Sequence, residues 1–255
     1  MALLDIRFRS STLQQATAVT VLLPEEREPG FQWPVLLLLH GLSDDHTTWM
    51  RMTAIERYVR KLRLCVVMPS ANRSFYTDMV HGNRYYSYIS AELPRILHDM
   101  FPLSRRREDH FVAGLSMGGY GAFKLALNNP DQFSAAASMS GVLDMAHYFR
   151  SVSEKGPRED IKRLAEDIFG SAESFVNSTS DLRRMAEFAA IRGNCPRLFM
   201  CCGTEDHLYD NNLRYLSLLQ SLGLPVTYEE DPGYAHTWDY WDLKIQRVLE
   251  WLQEA

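Results

Sequence analysis

Five uninterrupted apolar runs constrain this chain more than any other feature. They are Pro34 to His40, Leu64 to Met68, His110 to Gly114, Phe133 to Met139 and Arg197 to Cys202. A strand with one wet face alternates polar and apolar residues, whereas a run without alternation is covered on both faces. Strands of that kind belong to a parallel sheet lying between helices. Helical patterns fill the intervals, at Thr47 to Lys61, Arg84 to Met100, Ser116 to Asn128, Asp210 to Leu222 and Trp238 to Gln253. Pro225 to Glu230 adds one more strand before the last helix. This alternation predicts a doubly wound, mostly parallel α/β sheet with helices on both faces. Leu3 to Arg9 and Thr17 to Leu23 do alternate, and they are expected as an antiparallel N-terminal edge. Asp144 to Asn194 is charged and helical and interrupts the pattern. It is expected to be an excursion over the top of the sheet, within a single domain spanning residues 1–255.

Composition excludes several classes of function. The formal net charge is −5, and the densest basic cluster, Arg105-Arg106-Arg107, runs straight into Glu108-Asp109. That reads as a solvated loop, so no nucleic-acid partner is expected. The longest apolar run, Val35 to Leu39, is far too short to span a bilayer, so no membrane association is expected. The N-terminus has charges at short intervals and lacks the apolar segment of a secretory signal. Cys65, Cys195, Cys201 and Cys202 show no metal-ligand spacing, which suits free thiols in a reducing, cytoplasmic setting. Asp44-Asp45-His46 lacks a further ligand to complete a metal site. No metal or other cofactor is expected.

Gly114-Leu-Ser-Met-Gly118 has the form G-x-S-x-G, between an apolar strand and a helix. A sharp strand-to-helix turn there would strain the serine backbone and lift the Ser116 hydroxyl above the sheet. The glycines would let strand and helix approach closely. The Met117 amide, at the helix start, would be one donor for an oxyanion. A second donor has to come from the loop after the first buried strand, His40-Gly-Leu-Ser-Asp44, and the Leu42 amide is the candidate. His40 is expected to brace that loop.

A serine hydroxyl needs a base, and in this architecture the acid and then the histidine follow the serine in the chain. His147 comes early, and His207 adjoins the candidate acids. His236 lies in a glycine-bearing loop between the last strand and the last helix, where it can reach the turn. Asp206, at the carboxyl end of the Arg197 to Cys202 strand, leads the candidates for the acid, with Glu205, Asp210 and Asp231 as competitors. Trp49, Tyr76 and Trp238 flank these loops and are expected to line an acyl or aryl pocket.

Taken together, His40-Gly-Leu-Ser-Asp-Asp-His-Thr-Thr-Trp49, Phe75-Tyr-Thr-Asp78, Glu92-Leu-Pro94, Ala113-Gly-Leu-Ser-Met-Gly-Gly-Tyr-Gly121 and Cys202-Gly-Thr-Glu-Asp206 resemble the esterase D family. That family includes S-formylglutathione hydrolases and, closer still, bacterial tributyrin-esterase-type carboxylesterases. The resemblance runs from about Ile6 to Trp251 and is weakest over Asp144 to Asn194. It implies an α/β-hydrolase fold without a cofactor. It also implies a Ser116–Asp206–His236 triad and an oxyanion hole of the Leu42 and Met117 amides. It implies hydrolysis of short acyl esters, acetylated sugars, feruloyl esters or S-formylglutathione, with acyl transfer as a variant, and a homodimer or tetramer. The chain is short and lacks the Cys-rich start of that loop found in typical S-formylglutathione hydrolases, which favours a general esterase.

Overall fold

The computed structural model describes residues 1–26, 28–148, 159–176 and 178–254. Eight strands form one sheet: β1 (Ala2–Ser10), β2 (Gln15–Leu23), β3 (Val35–Leu39), β4 (Cys65–Pro69), β5 (His110–Leu115), β6 (Ala135–Met139), β7 (Arg197–Gly203) and β8 (Val226–Asp231). Their spatial order is β1-β2-β4-β3-β5-β6-β7-β8. The β1–β2 and β2–β4 pairs are antiparallel, and every pair from β4 to β8 is parallel. The expected sheet and its antiparallel edge are therefore present. Every residue of β3, β4 and β6 is buried. Alternate residues of β3 feed opposite cores: Leu37 and Leu39 enter one, Leu36 and Leu38 the other. The absence of alternation in the sequence thus reflects two packed faces.

The helices depart from the expected pattern in two places. The Thr47 to Lys61 segment forms two short helices, α1 (Thr48–Met52) and α2 (Ile55–Val59). They break where the Ala54 amide leaves the helix ladder to donate to Asp242 Oδ1 at 3.0 Å. The Arg84 to Met100 segment begins as α3 (Tyr85–Ser87), widens into a π-helical turn over Tyr88–Glu92 and continues as α4 (Leu93–Met100). Pro94 stands at the start of α4 and has no N–H to give the preceding turn, which suits a change of register there. The widened turn aims Glu92 at the β1–β2 hairpin. Its carboxylate accepts from Ser10 Oγ, the Ser11 amide and hydroxyl, and the Thr12 amide. Burial would raise the Glu92 pKa, but these donors outweigh it and hold it down at about 2.

Further helices include α5 (Met117–Asn128), α6 (Glu159–Phe169), α7 (Ala172–Phe175), α8 (Leu182–Arg192), α9 (Tyr209–Ser221) and α10 (Trp238–Gln253). Of the expected excursion, residues 149–158 and 177 lie outside the described residues. Its described part is fastened to α5: Tyr120 Oη donates to the Ser180 carbonyl at 2.6 Å, and Lys124 Nζ donates to Ser180 Oγ at 2.9 Å and Thr77 Oγ1 at 2.6 Å. No helix among the described residues is long and apolar enough to cross a membrane.

Lys124 makes stability depend on pH. Burial lowers its pKa to about 7, against about 10.4 in an unfolded chain. Between those values the unfolded chain holds a proton that the folded chain does not, so stability should rise with pH across that window. Lys124→Met removes this contribution. The difference in thermal midpoint, wild type minus variant, should therefore grow from pH 7 to pH 9.5. A constant difference would contradict it.

Candidate active site

The parallel register brings the carboxyl ends of β3, β5, β6, β7 and β8 to one rim, where open α/β sheets place their sites. Ser116 follows β5 directly and opens α5 with φ 52° and ψ −115°. Positive φ is uncommon for a residue with a Cβ. The glycines on either side make this turn possible. A Cβ on Gly114 would stand 2.4 Å from the Gly118 carbonyl oxygen, and one on Gly118 would stand 2.4 Å from the Leu39 carbonyl oxygen. Gly118→Ala would have to push β3 and α5 apart. It should cost at least about 1–3 kcal/mol, read as a fall in thermal midpoint.

The structure joins three of the expected residues. Ser116 Oγ lies 3.0 Å from His236 Nε2, and His236 Nδ1 lies 2.8 Å from Asp206 Oδ2. An ionised carboxylate only accepts, so Nδ1 carries the imidazole proton and Nε2 is left to accept from the serine hydroxyl. Asp206 reaches this position from the turn after β7, and His236 from the turn after β8. Burial would raise the Asp206 pKa. Hydrogen bonds from His236, the Leu208 amide and Ser140 outweigh it and hold the carboxyl below its ordinary range. The competing acids are turned elsewhere: Glu205 and Asp210 are exposed, and Asp231 takes Tyr240 Oη at 2.9 Å and Lys244 Nζ at 3.0 Å.

The loop after β3 is held from several sides. Its Gly41 amide donates to Asp44 Oδ2 at 3.1 Å. His40 Nε2 accepts from the Ala71 amide at 2.9 Å, which leaves Nδ1 to donate to the Gly41 carbonyl at 2.7 Å. Burial lowers the His40 pKa, in keeping with this neutral tautomer. The expected bracing role fits these contacts. Among the described residues, the Leu42 and Met117 amides have no backbone or side-chain acceptor in the fold.

A cleft of about 400 Å³ opens onto Ser116 and His236. Leu42 and Trp238 line it, as do Phe75, Val142, Tyr148, His207, Leu208 and Trp241. Trp49 and Tyr76, expected in this lining, are wholly buried and do not reach it. The Trp49 indole N–H donates to the Leu39 carbonyl at 3.1 Å, and its ring meets the edge of Trp238 at 5.2 Å. Tyr76 Oη donates to the His40 carbonyl at 2.9 Å. Both residues support the loops that form the cleft. Phe75 at the cleft was hidden by its neighbour Tyr76, and Val142 by its place in a loop after β6. His207 had a sequence signal, its adjacency to Asp206. Its ring stands 4.5 Å from that of His236, and its Nδ1 lies 3.5 Å from Asp206 Oδ1. Asp206, His207 and His236 present atoms within 4.8 Å of one another, so they could hold a metal ion. The hydrogen bonds from Asp206 through His236 to Ser116 account for the arrangement without one.

A strained serine at a strand-to-helix turn, with an imidazole and a buried carboxylate behind it, is a site of the α/β-hydrolase class. The family model described as "Putative esterase" matches residues 10–252. An acetyl esterase of Caldicellulosiruptor saccharolyticus is 29% identical over 100% of this chain and 99% of its own. The substrate-bound fluorophosphonate-binding serine hydrolase FphF of Staphylococcus aureus superposes with a TM-score of 0.89, at 34% identity over 100% of this chain and 99% of its own. The S-formylglutathione hydrolase FrmB of the same organism gives 0.86, at 35% identity over 98% of each chain. This chain belongs to that esterase family, of the esterase D type, and is a carboxylic ester hydrolase.

Proposed function

We propose that the chain is a serine carboxylesterase acting on short-chain acyl esters, with Ser116 as nucleophile, His236 as general base and Asp206 as its orienting acid. The observation that carries this is the unbroken hydrogen-bonded path from Asp206 through His236 to Ser116 Oγ. His236 Nε2 takes the hydroxyl proton as Ser116 Oγ attacks the ester carbonyl. The Leu42 and Met117 amides face the oxyanion, reinforced by the positive end of α5. Protonated His236 then hands its proton to the leaving alcohol. Asp206 stabilises the imidazolium while that proton is held. Water enters by the same route in reverse and releases the acid.

The apolar side chains in the cleft lining, Leu42, Phe75, Val142, Leu208, Trp238 and Trp241, support a small acyl group such as acetyl, carried on a sugar for instance, or an aromatic feruloyl group. The likeness to the FrmB protein favours a second reading, hydrolysis of S-formylglutathione, and acyl transfer to an alcohol shares the same acyl-enzyme. Rates on 4-nitrophenyl esters from acetate to decanoate, beside methyl ferulate and S-formylglutathione, decide among the hydrolytic readings. We expect kcat/KM to peak at acetate or butyrate and to fall with chain length. A peak at decanoate, or a dominant rate on S-formylglutathione, would overturn the short-chain ester reading. Transfer product that outweighs free acid when an alcohol acceptor is added would favour the transferase.

A further inference from the structure

Ser140 sits just beyond β6, between the strand ends that carry Ser116 and Asp206. It is wholly buried and has φ 51°, a backbone conformation that glycine would take without strain. Its amide is fixed by the Cys201 carbonyl at 2.8 Å. Its Oγ accepts the indole N–H of Trp241 at 3.2 Å. The Trp241 ring in turn stands edge-on to His236, with centroids 4.8 Å apart and planes at 88°. An indole N–H can only donate, so the hydroxyl proton of Ser140 is left for another acceptor; the Asp206 carboxylate and the Cys202 sulfur both interact with this hydroxyl, and the ionised carboxylate is the stronger acceptor. That hydroxyl also contributes to holding the Asp206 carboxyl below its usual range.

From this geometry we infer that Ser140 is a positioning residue. One hydroxyl fixes Asp206 by donating to it, and fixes the Trp241 ring against His236 by accepting from it. The inference rests on the Ser116–His236–Asp206 reading and extends it. It accounts for a strained serine in a buried loop whose side chain does not line the cleft.

Two variants test it. Ser140→Ala removes the hydroxyl, and Ser140→Gly also relieves the strain. A hydrogen bond to a charged group is worth roughly ten- to a hundredfold in rate when the charge matters to the reaction. Both variants should therefore lose about that factor in kcat on 4-nitrophenyl acetate, with KM little changed. Without the Ser140 donor, burial is less opposed and Asp206 takes up a proton at higher pH. A carboxylate with more proton affinity also holds the His236 imidazolium more tightly, so the low-pH limb of the rate profile should move upward. Ser140→Gly loses the same hydroxyl as Ser140→Ala but relieves the strain at φ 51°, so it should melt above Ser140→Ala, which separates positioning from folding if Ser140→Ala folds poorly. Wild-type kcat and an unmoved low-pH limb in Ser140→Gly would overturn the inference. Ser116→Ala is the control: if it stays active, the underlying reading fails, whereas inactive Ser116→Ala beside wild-type-like Ser140→Gly sinks the positioning role alone.

Discussion

Ser116→Ala is expected to reduce hydrolysis of 4-nitrophenyl acetate to the background rate of the buffer, while the protein stays folded. In a serine hydrolase of comparable layout, loss of the nucleophile costs about a millionfold in kcat. The structure explains why so small a change should matter so much. In the proposed mechanism His236 and Asp206 activate this oxygen, and without it no acyl-enzyme can form. Folding should survive because Ser116 Oγ bonds only to His236 Nε2 among the described residues. The backbone strain at φ 52° is imposed by the close contacts of Gly114 and Gly118, and alanine shares it. The check is a rate assay beside a thermal melt. A variant that melts like wild type and still turns over at a tenth of its rate would contradict the assignment.

Asp206→Asn should be the next most damaging, at about ten-thousandfold in kcat. The Asp206 carboxylate accepts from His236 Nδ1 at 2.8 Å and from the Leu208 amide at 2.8 Å. An amide side chain brings its own N–H donors. Where it donates to Nδ1, the imidazole must move its proton to Nε2, and Nε2 can then no longer take one from Ser116. The same substitution removes the charge proposed to stabilise the imidazolium. The expected signature is a collapse in kcat with KM nearly unchanged, because Asp206 is buried behind His236 and absent from the cleft wall. A KM effect larger than the kcat effect would place Asp206 in substrate binding instead.

Much of this architecture is legible in the residues before any coordinates. The apolar runs of β3, β4 and β6 lack alternation because both faces are packed, and that property alone announces a covered parallel sheet. Gly114 and Gly118 are legible too, since a serine turn between strand and helix leaves no room for a Cβ at either position. What escapes the sequence depends on distance through space. The break between α1 and α2 is set by Asp242, which is 188 positions away from Ala54. The π-helical turn at Tyr88–Glu92 answers to the β1–β2 hairpin that Glu92 caps. Trp49 and Tyr76 stand beside the catalytic loops in sequence but point beneath them, because an aromatic residue in a loop has no periodicity to tell inward from outward. His207 and Ser140 lay closer to reach: one adjoins Asp206, and the other is a small polar residue at the end of a fully buried strand, at the rim where sites form.

The central claim is that Asp206 and His236 make one particular alcohol nucleophilic. Treating the folded protein with a fluorophosphonate and mapping the adduct by peptide mass spectrometry tests this most directly. One adduct per chain is expected, on Ser116, forming at least about a thousandfold more slowly in His236→Ala, roughly the factor that triad members contribute. An adduct on another residue, or equal labelling of Ser116 with His236 removed, would contradict it.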